Sequence, residues 1–394
     1  MDRRTFIKKA GVAGTAAAAS LSGAAMAQTT EAEPAAPAAA EPAEPAAAPQ
    51  APAIVEQAPT FKWRLSSGFP SRLETLYGAA EIFADSVRAA TDGNLDIEVF
   101  PTGVIVNEVS GLEAVKNGVV DMIHTASNYF WETDPAFAFG TGVPFGLNQR
   151  MTNAWLYEGG GLDLLNTFYA KSNIVSFPAG NTGAQMGGWY RKEINSLEDM
   201  QDLKLRIGGF GGSIVEKIGV VPQTVPADRV YQALENGTID AAEFVGPYDD
   251  DKLGLNRVAK YYYYPGWWEG GVAATNMINL DKWNELPASY QEAVRTASAL
   301  ANSMLTARYD VLNPPALKSL VEKGTILRPF SHDILLACFS AAEETYAEIA
   351  AVNADFKTLL DSYMGYRRDA YLWFQIAEYA QDTFLMLQQR AGRL

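Results

Sequence analysis

Two stretches share one grammar: GLEAVKNGVVDMIHTAS at residues 111–127 and DRVYQALENGTIDAAEFV at residues 228–245. Each opens with a short helical pattern, stops at Asn-Gly, and continues as an apolar run with an aspartate near its start. A helix–stop–strand unit used twice predicts two similar α/β lobes with a cleft between them, as in proteins that close round a ligand. Upstream of the first copy, FKWRLSS (Phe61–Ser67) reads as a strand. Residues 73–90 carry apolar side chains near i, i+3 and i+4, and LDIEVFP at 95–101 alternates as a second strand. The order strand, helix, strand, helix, strand predicts a parallel sheet with right-handed crossovers. Ligands of open α/β sheets sit beyond the carboxyl ends of the strands. That rule puts Ser67, Ser127, Asn128 and Tyr129 beside a cleft.

The second copy delivers Glu243 among apolar neighbours, where a carboxylate is costly unless a positive group meets it. Between the copies runs NTGAQMGGWYRKEINSLEDMQDLKLR, residues 181–206. Its end, LKLRI, alternates like a strand and carries Arg206, whose guanidinium is shaped to hold a carboxylate through two parallel hydrogen bonds. If Arg206, Glu243 and an incoming carboxylate share a pocket, two negative charges face one positive charge. A bound cation would settle that imbalance, and the amide oxygen of Gln185 is a suitable neutral ligand for a hard ion. Asn181, at the head of this stretch, is placed on the ligand side with Gln185.

Other segments read more plainly. The aromatic run after Asn128 is loop and core packing or a pocket wall, with Tyr129 best placed to offer a hydroxyl. Residues 152–169 are helical, and IVSFPAG at 174–180 is a strand. GGFGG at 208–212 fits neither dinucleotide nor P-loop spacing and reads as a tight turn. YDDDK at 248–252 lacks the spaced ligands and glycine of a calcium loop and reads as a solvated turn. In YYYYPGWWEGG, 261–271, most rings belong to the core, while Glu269 lies at a surface turn or points into the cleft. VAATNMINL at 272–280 is a strand returning to the first lobe, followed by helices over 281–305. Residues 331–390 hold no proline and one glycine, Gly365, which predicts a long helix. Tyr366, Ala370, Trp373, Ala377, Ala380, Phe384 and Leu387 form a 4-3 seam, with Leu372, Ile376, Tyr379 and Met386 apolar off it. A helix apolar on two faces has two partners, either both within its own chain or one in a second copy.

The chain opens with MDRRTFIKKAGVAG and a small-residue apolar run to Ala25-Met26-Ala27, the form of a cleavable export signal, and its paired arginines suggest the twin-arginine route. Residues 28–60 are mostly Ala, Pro and Glu, a composition too poor in apolar area to fold, and read as a linker. Lobe I is expected at about 61–180 plus 272–330, lobe II at 181–271, and the C-terminal helical region at 331–394. The formal charge is -15, and residues 1–27 hold four of the 31 bases and one of the 46 acids, so removing them leaves 27 against 45. Such a field argues against nucleic acid and against direct binding to anionic lipid. One cysteine, Cys338, excludes an internal disulfide and a cysteine-based metal cage.

AGNTGAQMGGWYRKEINSLEDMQDLKLRIGG, ALENGTIDAAEFVGPYDD and KYYYYPGWWE together resemble the extracytoplasmic solute-binding proteins of TRAP transporters, and within them the branch for 2-oxo and 2-hydroxy monocarboxylates. The resemblance covers nearly all of 61–394. It implies a two-lobed periplasmic binding protein fold with hinge strands and a long C-terminal helix, and membrane permease subunits as partners. It implies that Arg206 pairs with the substrate carboxylate. Gln185, Glu243 and the backbone carbonyl of Phe244 would hold a sodium or calcium ion that also binds the substrate, with Glu269 and Tyr129 near the ligand. That branch often carries tryptophan where this chain has Phe244, which alters the pocket's width. It further implies a dimer through the C-terminal helix.

Two other classes fit less well. An exported lyase or hydrolase would need Glu243 and Glu269 as acid and base. However, His124 and His332 are the only histidines, His124 sits in a strand alternation like a packed core residue, and no G-x-S-x-G elbow is present. A carbohydrate-binding protein would use the Trp and Tyr rings as stacking platforms. The residues therefore predict a binding protein, not an enzyme.

Overall fold

A computed structural model describes residues 58–226 and 229–394. The expected export signal and nearly all of the linker lie outside the described residues. Strands and helices are numbered in chain order. The first sheet holds β1 (Phe61–Ser67), β2 (Leu95–Phe100), β3 (Met122–Thr125), β4 (Ile174–Asn181) and β10 (Ala273–Asn279), in the order β2-β1-β3-β10-β4. β1 pairs in parallel with β2 and β3, while β10 runs antiparallel to β3 and β4. The second sheet holds β5 (Gly188–Tyr190), β6 (Lys204–Arg206), β7 (Val221–Gln223), β8 (Ala241–Ala242), β9 (Tyr261–Tyr264) and β11 (Ile326–Pro329), in the order β11-β9-β5-β8-β6-β7. The two sheets are the frames of the two lobes.

The repeated units fold alike. α1 (Leu76–Ala90) faces the first sheet with Leu76, Ala80, Phe83 and Val87 buried at helical spacing. α2 (Gly111–Lys116) stops at Asn117-Gly118, and its counterpart α6 (Val230–Glu235) stops at Asn236-Gly237. Both glycines are left-handed, with φ 70° and 77°, a conformation that costs glycine least. Each then feeds a strand whose leading aspartate does the same work. Asp121 accepts the backbone N–H of Arg64 at 2.7 Å, and Asp240 accepts that of Lys204 at 3.1 Å. The aspartates thus extend the ladders of β1 and β6 by one bond each.

α3 (Gln149–Tyr157) and α4 (Gly161–Tyr169) divide the helical stretch predicted over 152–169. α5 (Gly209–Lys217) begins within GGFGG, so that segment is the first turn of a helix rather than a free turn. α7 (Pro247–Leu253) replaces the solvated turn read from YDDDK: it is a helix, with Asp249 and Asp250 only 1% exposed. Pro247 suits the first helical position and Gly254 ends the helix at φ 73°. α8 (Leu280–Glu285) leads into α9 (Ala288–Glu322), which packs on β4 and α1 of the first lobe and on α7 of the second. α9 passes through Pro314 and Pro315 because both are exposed, so the carbonyls they leave unpaired face water. β11 then pairs with β9. Part of 272–330, assigned from the sequence to lobe I, therefore sits in the second sheet.

The C-terminal region is helical in three segments: α10 (His332–Val352), α11 (Ala354–Phe374) and α12 (Glu378–Arg390). One interruption falls at Asn353, whose side chain accepts the N–H of Phe356 at 2.9 Å, and the other at residues 375–377; neither falls at Gly365, which lies inside α11. One core cluster joins Leu205, Ile207 and Phe210 of the second lobe to Phe137 and Trp155 of the first and to Tyr346, Phe356 and Tyr363 of α10 and α11. Among the described residues no helix is long and apolar enough to cross a membrane.

Candidate functional site

The carboxyl ends of β6 and β8 carry the charges. Arg206 closes β6, and Glu243 follows β8 directly, with its N–H donating to the Arg206 carbonyl at 3.0 Å. β6 and β8 run parallel, so their side chains emerge together at one end of the sheet. Arg206 Nη1 donates to Glu243 Oε2 at 3.0 Å and to the Glu243 carbonyl at 2.8 Å, and Nε donates to the Val225 carbonyl at 3.3 Å. The guanidinium lies 5.7 Å from the centre of the Phe244 ring. Both members of the pair are largely enclosed, at 22% and 13% side-chain exposure.

Gln185 sits on the crossover from β4 to β5. Met186, next to it, donates its N–H to the Val245 carbonyl at 3.2 Å, and the Gln185 carbonyl accepts from Gly266 at 3.1 Å. The crossover is therefore stitched to the Glu243–Val245 segment on one side and to the β9–β10 connection on the other. Gly188, three residues after Gln185, makes the approach feasible: a Cβ there would lie 2.6 Å from the Ala242 carbonyl oxygen and 3.0 Å from Glu243 Cα. The Gln185 amide donates to Thr182 Oγ1 at 3.3 Å, while its Oε1 is buried with no protein partner. A buried unpaired acceptor is costly, and its natural complement is a donor or a cation.

Glu269 lies on the β9–β10 connection and accepts from Asn128 Nδ2 at 3.3 Å. It faces inward, which settles the choice left open by its flanking tryptophans. Enclosure in the protein pushes its carboxyl up to about 8, the Glu243 charge adds to this, and the Asn128 hydrogen bond and Arg206 oppose it. Enclosure pushes Glu243 up to about 7 against the pull of Arg206. Two acids of the chain thus share one arginine's field, whereas the sequence reading sets Glu243 and an incoming carboxylate against Arg206. Tyr129, in the 3₁₀ turn after β3, is 39% exposed and feels the charges of Arg206, Glu243 and Glu269. The structure so gathers Arg206, Glu243, Gln185, Glu269 and Tyr129 around one region. Asn181 is tied down: its Oδ1 accepts the Gly183 N–H at 2.8 Å, leaving Nδ2 buried and unpartnered. Phe244 is buried beside the guanidinium.

Sequence reasoning puts Asn128 beside the cleft without giving it a role, and does not single out Thr182. Asn128 follows the carboxyl end of β3, the position the strand rule already marks. Thr182 carries no signal beyond adjacency to Asn181. Among the described residues no three His, Cys, Asp or Glu side chains cluster to hold a metal. An ion here would draw instead on amide, carbonyl and single carboxylate oxygens, the donor set of hard cations. His124 is fully buried, packs edge-on against Phe69, and is held down to about 4 by desolvation, as a core residue would be.

The profile of the bacterial extracellular solute-binding proteins, family 7, matches residues 66–353. The chain belongs to that family. Among its relatives, this solute-binding protein is 43% identical over 331 residues to a monocarboxylate 2-oxoacid-binding periplasmic protein of Nostoc sp., covering 84% of this chain and 91% of the relative. Its fold superposes with a TM-score of 0.83 on a TRAP transporter solute-binding protein of Bordetella bronchiseptica, at 42% identity over 85% of this chain and all of the other; that protein carries co-purified calcium and picolinate in its active site. A TRAP periplasmic solute-binding protein of Pseudoalteromonas atlantica with bound sodium and pyruvate gives a TM-score of 0.78 at 34% identity, covering 82% and 98% of the two chains.

Proposed function

We propose that this family 7 solute-binding protein captures a small 2-oxo or 2-hydroxy monocarboxylate, of the pyruvate or lactate type, together with a sodium or calcium ion. It would then deliver the ligand to the membrane permease subunits of a TRAP transporter without altering it chemically. The observation that carries this reading is the buried, unpaired Gln185 Oε1 on a crossover hydrogen-bonded to the segment that follows Glu243, the partner of Arg206. A hard cation would be held by Gln185 Oε1, the Glu243 carboxylate and the Phe244 carbonyl, and when bound it supplies positive charge for the ligand's carboxylate and 2-oxygen. Arg206 would grip the carboxylate, with Tyr129 and Glu269 lining the ligand and Asn181 supporting the turn beneath it. The two lobes, on the two sheets, would close over it. Kinship with the Nostoc 2-oxoacid-binding protein and with neighbours carrying pyruvate or picolinate supports the ligand class.

Export to the periplasm fits the family, and the twin-arginine route with cleavage after Ala27 is the path we assign. A homodimer through α11 and α12 is supported by their exposed apolar side chains, Trp373 at 58%, Tyr379 at 65%, Phe384 at 60% and Leu387 at 54%. The test is tryptophan fluorescence titrated with pyruvate, lactate and a sugar, with and without chelator. Saturable binding of pyruvate or lactate that disappears with chelator is expected. A response to the sugar alone, or turnover of the acid, would replace the reading with a carbohydrate-binding or enzymatic one.

A further inference from the structure

The run Tyr248-Asp249-Asp250-Asp251 contains two adjacent buried acids with different attachments. Asp249 accepts from Thr75 Oγ1 at 3.1 Å and from the Tyr309 hydroxyl at 2.6 Å, that is, from the residue before α1 and from α9. Asp250 points into the second sheet. Its Oδ2 accepts from Trp189 Nε1 on β5 at 2.9 Å and from the Tyr262 hydroxyl on β9 at 2.7 Å, and the two rings stack at 4.0 Å. Its Oδ1 accepts the backbone N–H of Val245 at 3.3 Å.

That last bond bears on the site. The segment Glu243-Phe244-Val245 supplies Glu243 and the Phe244 carbonyl. It is pinned at one end by the bond from Glu243 N–H to Arg206 and at the other by Met186 N–H on the Val245 carbonyl. Arg206 Nη1 also holds the Glu243 carbonyl, and the Val245 N–H, on the same peptide as the Phe244 carbonyl, is held by Asp250. We propose that Asp250 is a positioning residue of the ligand site: through Val245 it fixes the backbone direction of Phe244, and through Trp189 and Tyr262 it ties that direction to the sheet. This inference rests on the ligand reading above.

The donors make a specific prediction. Asp249 is held by two hydroxyls, which can reverse and accept from an amide, so Asp249→Asn can keep its bonds. Asp250 is held by an indole N–H and a backbone N–H, neither of which can accept. In Asp250→Asn the amide NH2 must face one of them, and the bond from Val245 or from Trp189 is lost.

Wild type, Asp250→Asn, Asp249→Asn and Tyr262→Phe are compared as full chains by calorimetric titration with pyruvate in the presence of calcium, and by amide hydrogen exchange across residues 241–248 without ligand. Asp250→Asn is expected to weaken pyruvate at least about tenfold and to speed exchange in that segment, while Asp249→Asn changes affinity less than about threefold. Tyr262→Phe, which leaves the Val245 bond in place, should lower the melting temperature more than the affinity. Wild-type affinity in Asp250→Asn, even with a lowered melting temperature, overturns the inference. If Asp250→Asn does not fold, exchange of the wild-type chain decides: strong protection of the Val245 amide is expected, and exchange there as fast as at an unbonded loop amide overturns the inference equally. A wild-type chain that ignores pyruvate defeats the proposed function instead, and the exchange comparison still decides whether Asp250 holds the segment.

Discussion

Arg206 is already engaged before any ligand arrives. Its Nη1 bridges both the side chain and the carbonyl of Glu243, and Nε holds Val225, so the guanidinium plane is fixed in advance. Preorganisation of this kind lowers the ordering cost of binding. Arg206→Ala should weaken pyruvate by about 2–5 kcal/mol, because the carboxylate loses its partner and Glu243 is left unpaired. Arg206→Lys should recover only part of this, since an ammonium cannot occupy both the Glu243 and Val225 contacts. Calorimetry on both variants checks this, and a wild-type dissociation constant in Arg206→Ala would remove Arg206 from the site. The triad of Arg206, Glu243 and Gln185 was legible because each is a polar group where its neighbours are apolar. Asp250 was not, because a run of acids looks solvated until the indole and phenol that meet it are brought from other strands.

Single elements show where local pattern is sufficient and where it fails. The strands at 61–67, 95–100 and 174–181 follow from alternation or from apolar runs, and the two Asn-Gly stops place the ends of α2 and α6. α7 escaped because seven residues give too short a period to separate helix from turn, although Gly246-Pro247 at one end and Gly254 at the other mark its limits. The first division of the C-terminal region escaped because a single asparagine in an alanine-rich run is a weak local stop: Asn353 caps α11 through Oδ1 while its Nδ2 reaches Asp134 Oδ1, far off in the chain, at 2.8 Å. Asn353→Ala should therefore cost about 1–2 kcal/mol of stability through the lost cap and the lost Asp134 contact, with ligand affinity unchanged. Chemical denaturation followed by circular dichroism measures it. At β5 the close approach is the sensitive feature. Gly188→Ala would press on the Ala242 carbonyl and strain a residue at φ 88°, and should lower stability by about 2 kcal/mol or more and weaken pyruvate as Glu243 shifts, both read from a thermal melt with and without ligand.

At the scale of the molecule, buried titratable groups pull stability in opposite directions as pH falls. Desolvation holds His124 down to about 4 in the fold, against its ordinary 6.5 when unfolded. Between those values the unfolded chain holds the extra proton, so this group's contribution falls as pH drops from about 6.5 towards 4, by up to about 1.4 kcal/mol per unit, while Glu243 and Glu269, pushed up in the fold, contribute the other way. His124→Gln should therefore raise the stability at pH 5 relative to that at pH 7 compared with wild type, and urea midpoints at pH 7, 6 and 5 that change in parallel in the two proteins would remove His124 from the account. The exposed apolar face of α11 and α12 makes a second prediction: wild type should scatter light as the proposed dimer, and Trp373→Glu with Phe384→Glu as a monomer with the fold intact.

The charged groups are divided unequally. Arg206 and Glu243 belong to the second sheet, Gln185 and Glu269 to the connections that leave it, and the first lobe adds little beyond Asn128 and Tyr129 on one short turn. The charged pair thus sits in one half of the molecule, while the turn from the other half brings an amide and a phenol, with Glu108 acting on the latter. In the proposed site an anion reaching the open half meets two acids against one arginine, so the cation has to be seated before the anion can stay. That one turn is then the part that would have to lift for both to leave.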